Sequence, residues 1–99
     1  MQIRWTLAAL NDLKNISYRI ERQRNLSTAN LVCRAIYDTV QILRRHPKAG
    51  RLGMEAGTRE LAVSKLPYIA AYRLLPPEEP EAVQILRIWH GAQERGNPA

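Results

Sequence analysis

The sequence predicts an α+β domain in the order β-α-α-β-β-β, with an N-terminal strand and a helical hairpin packed on one face of a small antiparallel sheet. Three observations predict it. Apolar residues recur at three- and four-residue steps through the first half of the chain, the spacing of a helical stripe. From Thr58 onward three short runs read as strands, joined by hairpin-length connections. Between the halves, PKAGRLGMEAG holds three glycines and a proline in eleven residues, which marks a loop. At 99 residues the chain can build one hydrophobic core and not two, so residues 1–99 are read as one domain.

Each element has its own signal. QIRW, residues 2 to 5, puts Ile3 and Trp5 on one side of a short strand. Thr6 can cap the helix that follows, in which Leu10, Leu13, Ile16 or Ser17, and Ile20 form one stripe, so the first helix is expected over about 7 to 23. NLS breaks it, and Ser27 or Thr28 offers the next N-cap. Helical spacing then continues through Leu31 or Val32, Ala35 or Ile36, Thr39 or Val40, and Leu43. Pro47 cannot continue this helix, and Arg44, Arg45 and His46 suit its C-terminal dipole. About four residues join the two helices, which must therefore pack antiparallel.

The last three segments are TRELAVS (58 to 64), YIAAYRLL (68 to 75) and AVQILRIWH (82 to 90), linked by KLP and PPEEPE. Helices cover only one face of such a sheet, leaving the other to water, a substrate or a partner. Period-two alternation groups Arg59, Leu61, Val63 and Lys65 on one side of their strand and Ile69, Ala71, Arg73 and Leu75 on one side of the next. It groups Val83, Ile85, Arg87 and Trp89 on the third. Register decides whether these sides coincide.

Charge gives the first functional hint. Fifteen Lys and Arg against nine Asp and Glu make a net charge of +6, and four of the acids, Glu78, Glu79, Glu81 and Glu94, sit in a loop or the tail. A basic globule of this size expects a polyanion or an acidic protein partner. No run approaches the roughly 20 apolar residues of a membrane span, and MQIRWT has no secretory h-region. A single cysteine, Cys33, makes no internal disulfide and fits a reducing cytoplasm.

One Cys and two His without close spacing do not make a zinc site, and GRLGMEAG lacks the phosphate-loop pattern, so no metal or other cofactor is expected. Arg59, Arg73 and Arg87, one per strand, would form a patch for phosphate or carboxylate if they converge on the open face. Otherwise each is an edge charge or an internal ion pair. His90 ends the last strand with a side chain suited to proton transfer, yet the only other histidine, His46, belongs to a helix end. A packed strand-end residue is therefore the favoured reading of His90, with Gly91 allowing the chain to turn into a tail over 91–99. Trp5 and Trp89 are expected to seal core edges, Cys33 to fill the core, and Tyr18, Tyr37, Tyr68 and Tyr72 to supply the aromatic mass of a chain without Phe.

These pieces together resemble a known family. W...A..DL..I.YRI (Trp5, Ala9, Asp12, Leu13, Ile16, Tyr18), then RRHPKAGR, TRELAVSKLPYIAAYRL and VQILRIWHGAQ, is similar in order and spacing to the ParE/RelE toxin superfamily of bacterial type II toxin-antitoxin modules. The resemblance spans nearly the whole chain. It implies a small basic toxin, neutralised by a cognate antitoxin whose acidic tail wraps the hairpin and sheet. The antitoxin's DNA-binding domain represses the operon, so DNA is reached indirectly through it.

Two activities are implied by this superfamily. RelE-like members cut mRNA on the ribosome, and here that would fall to His90, Arg73 and Arg87. ParE-like members lack the residues for that chemistry; they inhibit DNA gyrase and cause DNA breaks. TREL, YI.AYR and HGAQ look more like the ParE branch, although Gln93 stands where an Arg is usual, and no tyrosine follows Trp89 as the RelE side would ask. Expected target- or antitoxin-binding residues are Arg59, Lys65, Arg73, Arg87 and Gln93, with Leu31, Ile42 and Ile69 lining apolar grooves.

Overall fold

The computed structural model describes residues 1–91. Its elements are β1 (Gln2–Trp5), α1 (Leu7–Gln23), α2 (Leu26–Gln41) with a 3-10 turn at Ile42–Arg44, β2 (Arg51–Leu52), β3 (Arg59–Ala62), β4 (Tyr68–Leu75) and β5 (Ala82–His90). The sheet order is β1-β5-β4-β3-β2. The helical hairpin carries the chain from one sheet edge to the other, and consecutive hairpins then lay the strands back until β5 meets β1. That last pairing is parallel, Ile3 opposite Val83 and Trp5 opposite Ile85, while all the others are antiparallel.

Local chemistry fixes the ends. The Thr6 hydroxyl accepts from the Ala9 N–H at 3.1 Å and caps α1. The cap of α2 is Asn25, whose side chain accepts from the Thr28 N–H at 2.7 Å. Ser27 and Thr28 therefore lie inside the helix: Asn, like Ser and Thr, is a strong cap, and it comes first in the chain. The loop contains a strand that its glycines hid, the two-residue β2 at the sheet edge.

The core lies between the hairpin and one sheet face. Ala9, Ile16, Ile36, Val40 and Leu43 meet Val63, Tyr68, Ala70, Tyr72, Val83, Ile85 and Ile88 there. Only two of the four tyrosines serve it. Tyr68 and Tyr72 are buried, whereas Tyr18 and Tyr37 project from the helices into solvent.

Tyr72 ties the loop to this core. Its hydroxyl donates to the Pro47 carbonyl at 2.8 Å and accepts from the Gly50 N–H at 2.9 Å. The backbone must come very close to do this: a Cβ at Gly50 would sit 2.7 Å from Tyr72 Cε1 and 2.8 Å from the Glu60 carbonyl. Gly50→Ala is expected to cost about 2–3 kcal/mol in urea denaturation, the size of an overpacked core site.

Burial pushes the Tyr72 phenol above its ordinary value, and the Gly50 N–H and the Arg59 guanidinium draw it partly back. The folded protein holds this proton more tightly than the unfolded chain does. The resulting stability is complete below about pH 10 and is lost as pH rises from there through the folded-state value. Tyr72→Phe leaves the Gly50 N–H and the Pro47 carbonyl without their partner, an expected loss of about 1–3 kcal/mol. Urea denaturation at stepped alkaline pH should show wild type falling more steeply than Tyr72→Phe.

Candidate functional site on the open sheet face

Strand register orders the face opposite the helices into three rows. The first is Arg4, Gln84 and Arg73; the second Arg87, Ala71, Glu60 and Arg51; the third Trp89, Ile69 and Ala62. One end of the face is thus cationic and the other apolar.

The first row carries uncompensated charge. Arg73 Nε donates to Gln84 Oε1 at 2.7 Å and Arg4 Nη2 to Gln2 Oε1 at 3.3 Å, so both guanidiniums meet neutral amides. Among the described residues neither has a carboxylate within salt-bridge distance. The second row is internally paired. Glu60 is only 6% exposed, and Arg51 Nη2 reaches its Oε1 at 3.1 Å from the edge strand.

A β-bulge brings Arg87 to this face. The register between β4 and β5 shifts at Ala71/Tyr72, where Ala71 pairs with Arg87 but Tyr72 with Ile85, leaving Leu86 as the extra residue. Val83, Ile85 and Ile88 all point inward as a result, while Arg87 and Trp89 turn outward. Simple alternation had grouped Val83, Ile85, Arg87 and Trp89 together; the bulge divides them.

Helix α1 fastens the bulge. The Thr6 hydroxyl lies 3.0 Å from both the Ile85 and the Leu86 carbonyl, and the Thr6 N–H donates to Ile85 at 3.1 Å. Beyond Trp5 strand β1 has ended, and Asp12 takes over its role. Asp12 Oδ2 accepts from the Ile88 N–H at 2.9 Å, a backbone donor on the part of β5 that β1 no longer covers. The same carboxylate grips Arg87 in a fork, Nε to Oδ2 at 2.7 Å and Nη2 to Oδ1 at 2.9 Å. This pairing raises the Arg87 guanidinium further above its ordinary value.

The second row floors a groove of about 230 Å³ that runs between Trp89 and the β2–β3 loop and is lined by Met54, Glu55, Thr58, Glu60, Ala71, Leu86, Arg87 and Trp89. Its far wall is the β2–β3 loop, closed by Gly53 N–H to Thr58 carbonyl at 2.8 Å and by the Thr58 hydroxyl to the Glu55 carbonyl at 2.6 Å. A space of this size accepts one large apolar side chain, with Arg87 at its rim.

The residues singled out from the sequence fall in several places. Arg73, Arg87 and Ile69 share the open face. Arg59 does not: it pairs with Tyr72 on the helix side of β3 and donates to the Gly50 carbonyl at 2.8 Å. Two of the three strand arginines thus share a face, and Arg59 braces the loop. Lys65 occupies the β3–β4 turn at φ +66° and is exposed. Leu31 and Ile42 are exposed on the hairpin, across the sheet from Ile69, so the expected apolar residues belong to two surfaces. His90 pairs with Tyr68 on the helix side, the rings 5.5 Å apart and edge to face. The sheet lies between it and Arg73. Gln93 and the tail beyond Gly91 lie outside the described residues.

Sequence reasoning missed Asp12 as the fastener and Trp89, Leu86 and Met54 as groove walls. A signal existed for Trp89 and Leu86. The inward residues Val83, Ile85 and Ile88 step by two and then by three, which is the mark of a bulge. Among the described residues no group of three or more His, Cys, Asp or Glu can hold a metal ion, and no helix is long and apolar enough to cross a membrane.

Known proteins are similar to this chain in sequence and architecture. Residues 3–95 match the family model described as "ParE toxin of type II toxin-antitoxin system, parDE". The chain is 38% identical over 93 residues to Y4kP of Sinorhizobium fredii, a protein named as a toxin, covering 94% of this chain and 91% of that one. A structure titled "Chromosomal ParDE TA system from P. aeruginosa" superposes with a TM-score of 0.80 at 27% identity, covering 91% of this chain and 95% of that one. The fold also matches a "YoeB/ParE toxin from Agrobacterium tumefaciens" at a TM-score of 0.59 and 19% identity, over 91% of this chain and 98% of that one. With a matched stretch that takes in the helical hairpin, the bulged β5 and the open face alike, the chain belongs to the ParE toxin family of type II toxin-antitoxin systems.

Proposed function

We propose that this toxin acts by inhibiting DNA gyrase and that a cognate antitoxin neutralises it by covering the open sheet face. The observation that carries the reading is the family match, joined to the orientation of the chain's most plausible proton-transfer residue. His90 packs against Tyr68 on the helix side, so the grouping of His90 with Arg73 that nuclease chemistry would ask for is split by the sheet. The open face suits protein recognition instead. Its groove offers a socket for one apolar anchor, and Arg4 and Arg73 offer charge to acidic side chains beside it. An acidic, amphipathic antitoxin tail has both features, and Leu31 and Ile42 give it further anchors if it continues around the hairpin.

Induction in growing cells, followed by thymidine and methionine incorporation over the first minutes, tests the target. DNA synthesis should fail first. Translation failing first would instead favour ribosome-dependent mRNA cleavage. His90→Ala should remain toxic in the same assay, with its circular dichroism spectrum confirming that the variant is folded; a folded variant without toxicity would return His90 to the mechanism.

A further inference from the structure

The flank of α1 beside the end of β5 carries a second basic surface, separate from the open sheet face. Asn15, Tyr18, Arg19 and Arg22 follow one another at steps of three, one and three, and together border an open cleft of about 440 Å³. A second cleft of about 230 Å³ joins Asn15 and Arg19 to Asp12 and His90 at the end of β5. The two share Asn15 and Arg19 and so form one continuous strip. Over the seven steps from Asn15 to Arg22 it extends about 10 Å along the helix axis.

The chemistry of this strip differs from that of the open face. Arg19 and Arg22 are exposed, and among the described residues neither has a carboxylate within salt-bridge distance. The one acid on the strip, Asp12, is already held by Arg87 and the Ile88 N–H. Glu21 projects about 100° around the helix from Arg22. Arg22 lies over the Tyr18 ring at 5.9 Å from its centroid, and Tyr18 as a whole is 63% exposed beside the cation. Among the described residues of the strip, no exposed aliphatic side chain is presented to anchor an amphipathic peptide. What the strip does present is amide, guanidinium and aromatic groups in a line, the composition of surfaces that hold a sugar-phosphate backbone.

We propose that this strip is a nucleic-acid contact surface, with Arg19 and Arg22 on phosphates, Asn15 as a further polar contact and Tyr18 available to an unstacked base. The proposal is independent of the gyrase reading. It requires only that the toxin binds nucleic acid through α1, whichever target it inhibits.

The test is fluorescence anisotropy of the full chain with a labelled DNA duplex and with one of its strands, from about 50 to about 200 mM salt. Arg19→Gln/Arg22→Gln should weaken binding by about tenfold or more at the lower salt and reduce the logarithmic salt slope by about 2, one phosphate for each arginine. Arg34→Gln/Arg45→Gln removes the same charge from elsewhere on the surface and should change the slope much less. Tyr18→Ala tells the two modes apart: a loss confined to the single strand assigns a stacked base, and unchanged binding of both assigns backbone contact alone. Equal losses in the two arginine pairs would mean that net charge alone drives binding, and would overturn the proposal. So would a wild-type chain that ignores both DNAs but binds an oligoglutamate peptide through the same arginines, because the strip would then be a surface for an acidic protein.

Discussion

Asp12→Ala is expected to destabilise the protein by about 2–4 kcal/mol, a fall in Tm of roughly 10–25 °C for a chain of this size. The estimate rests on two separate losses. The Ile88 N–H, partly buried on the stretch of β5 that has no β1 neighbour, loses its acceptor at 2.9 Å, and a donor left unsatisfied costs about 1–3 kcal/mol. The forked Arg87 contact disappears as well. Arg87 is about half exposed, so that pair contributes towards the low end, about 1 kcal/mol. Asp12→Asn keeps an oxygen for the Ile88 N–H but no charge for Arg87, and should recover about half of the loss. Urea denaturation of the three proteins measures this. Equal stability of Asp12→Ala and wild type would show that the bulge holds itself through Thr6 and strand pairing alone.

The second large effect is expected from Arg4→Glu/Arg73→Glu. Both side chains are on the surface and meet only neutral amides, so the fold should survive. What changes is the sign of the first row of the open face. Like charges brought together at an interface cost several kcal/mol, so association with the antitoxin should weaken by about a hundredfold, and toxicity should fall wherever the target uses the same row. The kinetics should show how. Charge reversal is expected to slow association and flatten its salt dependence, whereas Trp89→Ala, which removes a groove wall, should leave association nearly unchanged and speed dissociation. Unaltered antitoxin affinity in the double charge reversal would move the binding surface to the outer hairpin, around Leu31 and Ile42.

Much of this architecture is legible in the sequence, because both helices and strands β1, β3, β4 and β5 carry local signals that tertiary contacts do not override. Thr6 followed by the stripe from Leu10 to Ile20 fixes α1 between residues 7 and 23. YIAAYRLL and AVQILRIWH have the bounds of β4 and β5. The parts that were not legible depend on contacts far apart in sequence. No local feature says that β1 joins β5 in parallel, or that a side chain in α1 substitutes for a strand beside Ile88. The bulge at Leu86 is the most consequential of these, because its two-then-three step can be read only once Val83, Ile85 and Ile88 are known to face inward. A single inserted residue reverses which face Arg87 and Trp89 occupy, and the composition of the open face follows from it. Arg59 shows the complementary limit: a strand arginine looks the same in sequence whether it faces a partner or, as here, the loop at Gly50.

The open face that the antitoxin is proposed to cover is also the surface through which we propose that this ParE-family chain inhibits gyrase. The most direct measurement is supercoiling of relaxed plasmid by purified DNA gyrase in the presence of the full chain. Wild type should stop supercoiling, His90→Ala should stop it equally, and Arg4→Glu/Arg73→Glu should not. Undiminished supercoiling with wild type, together with mRNA cut on translating ribosomes by the same preparation, would contradict the account.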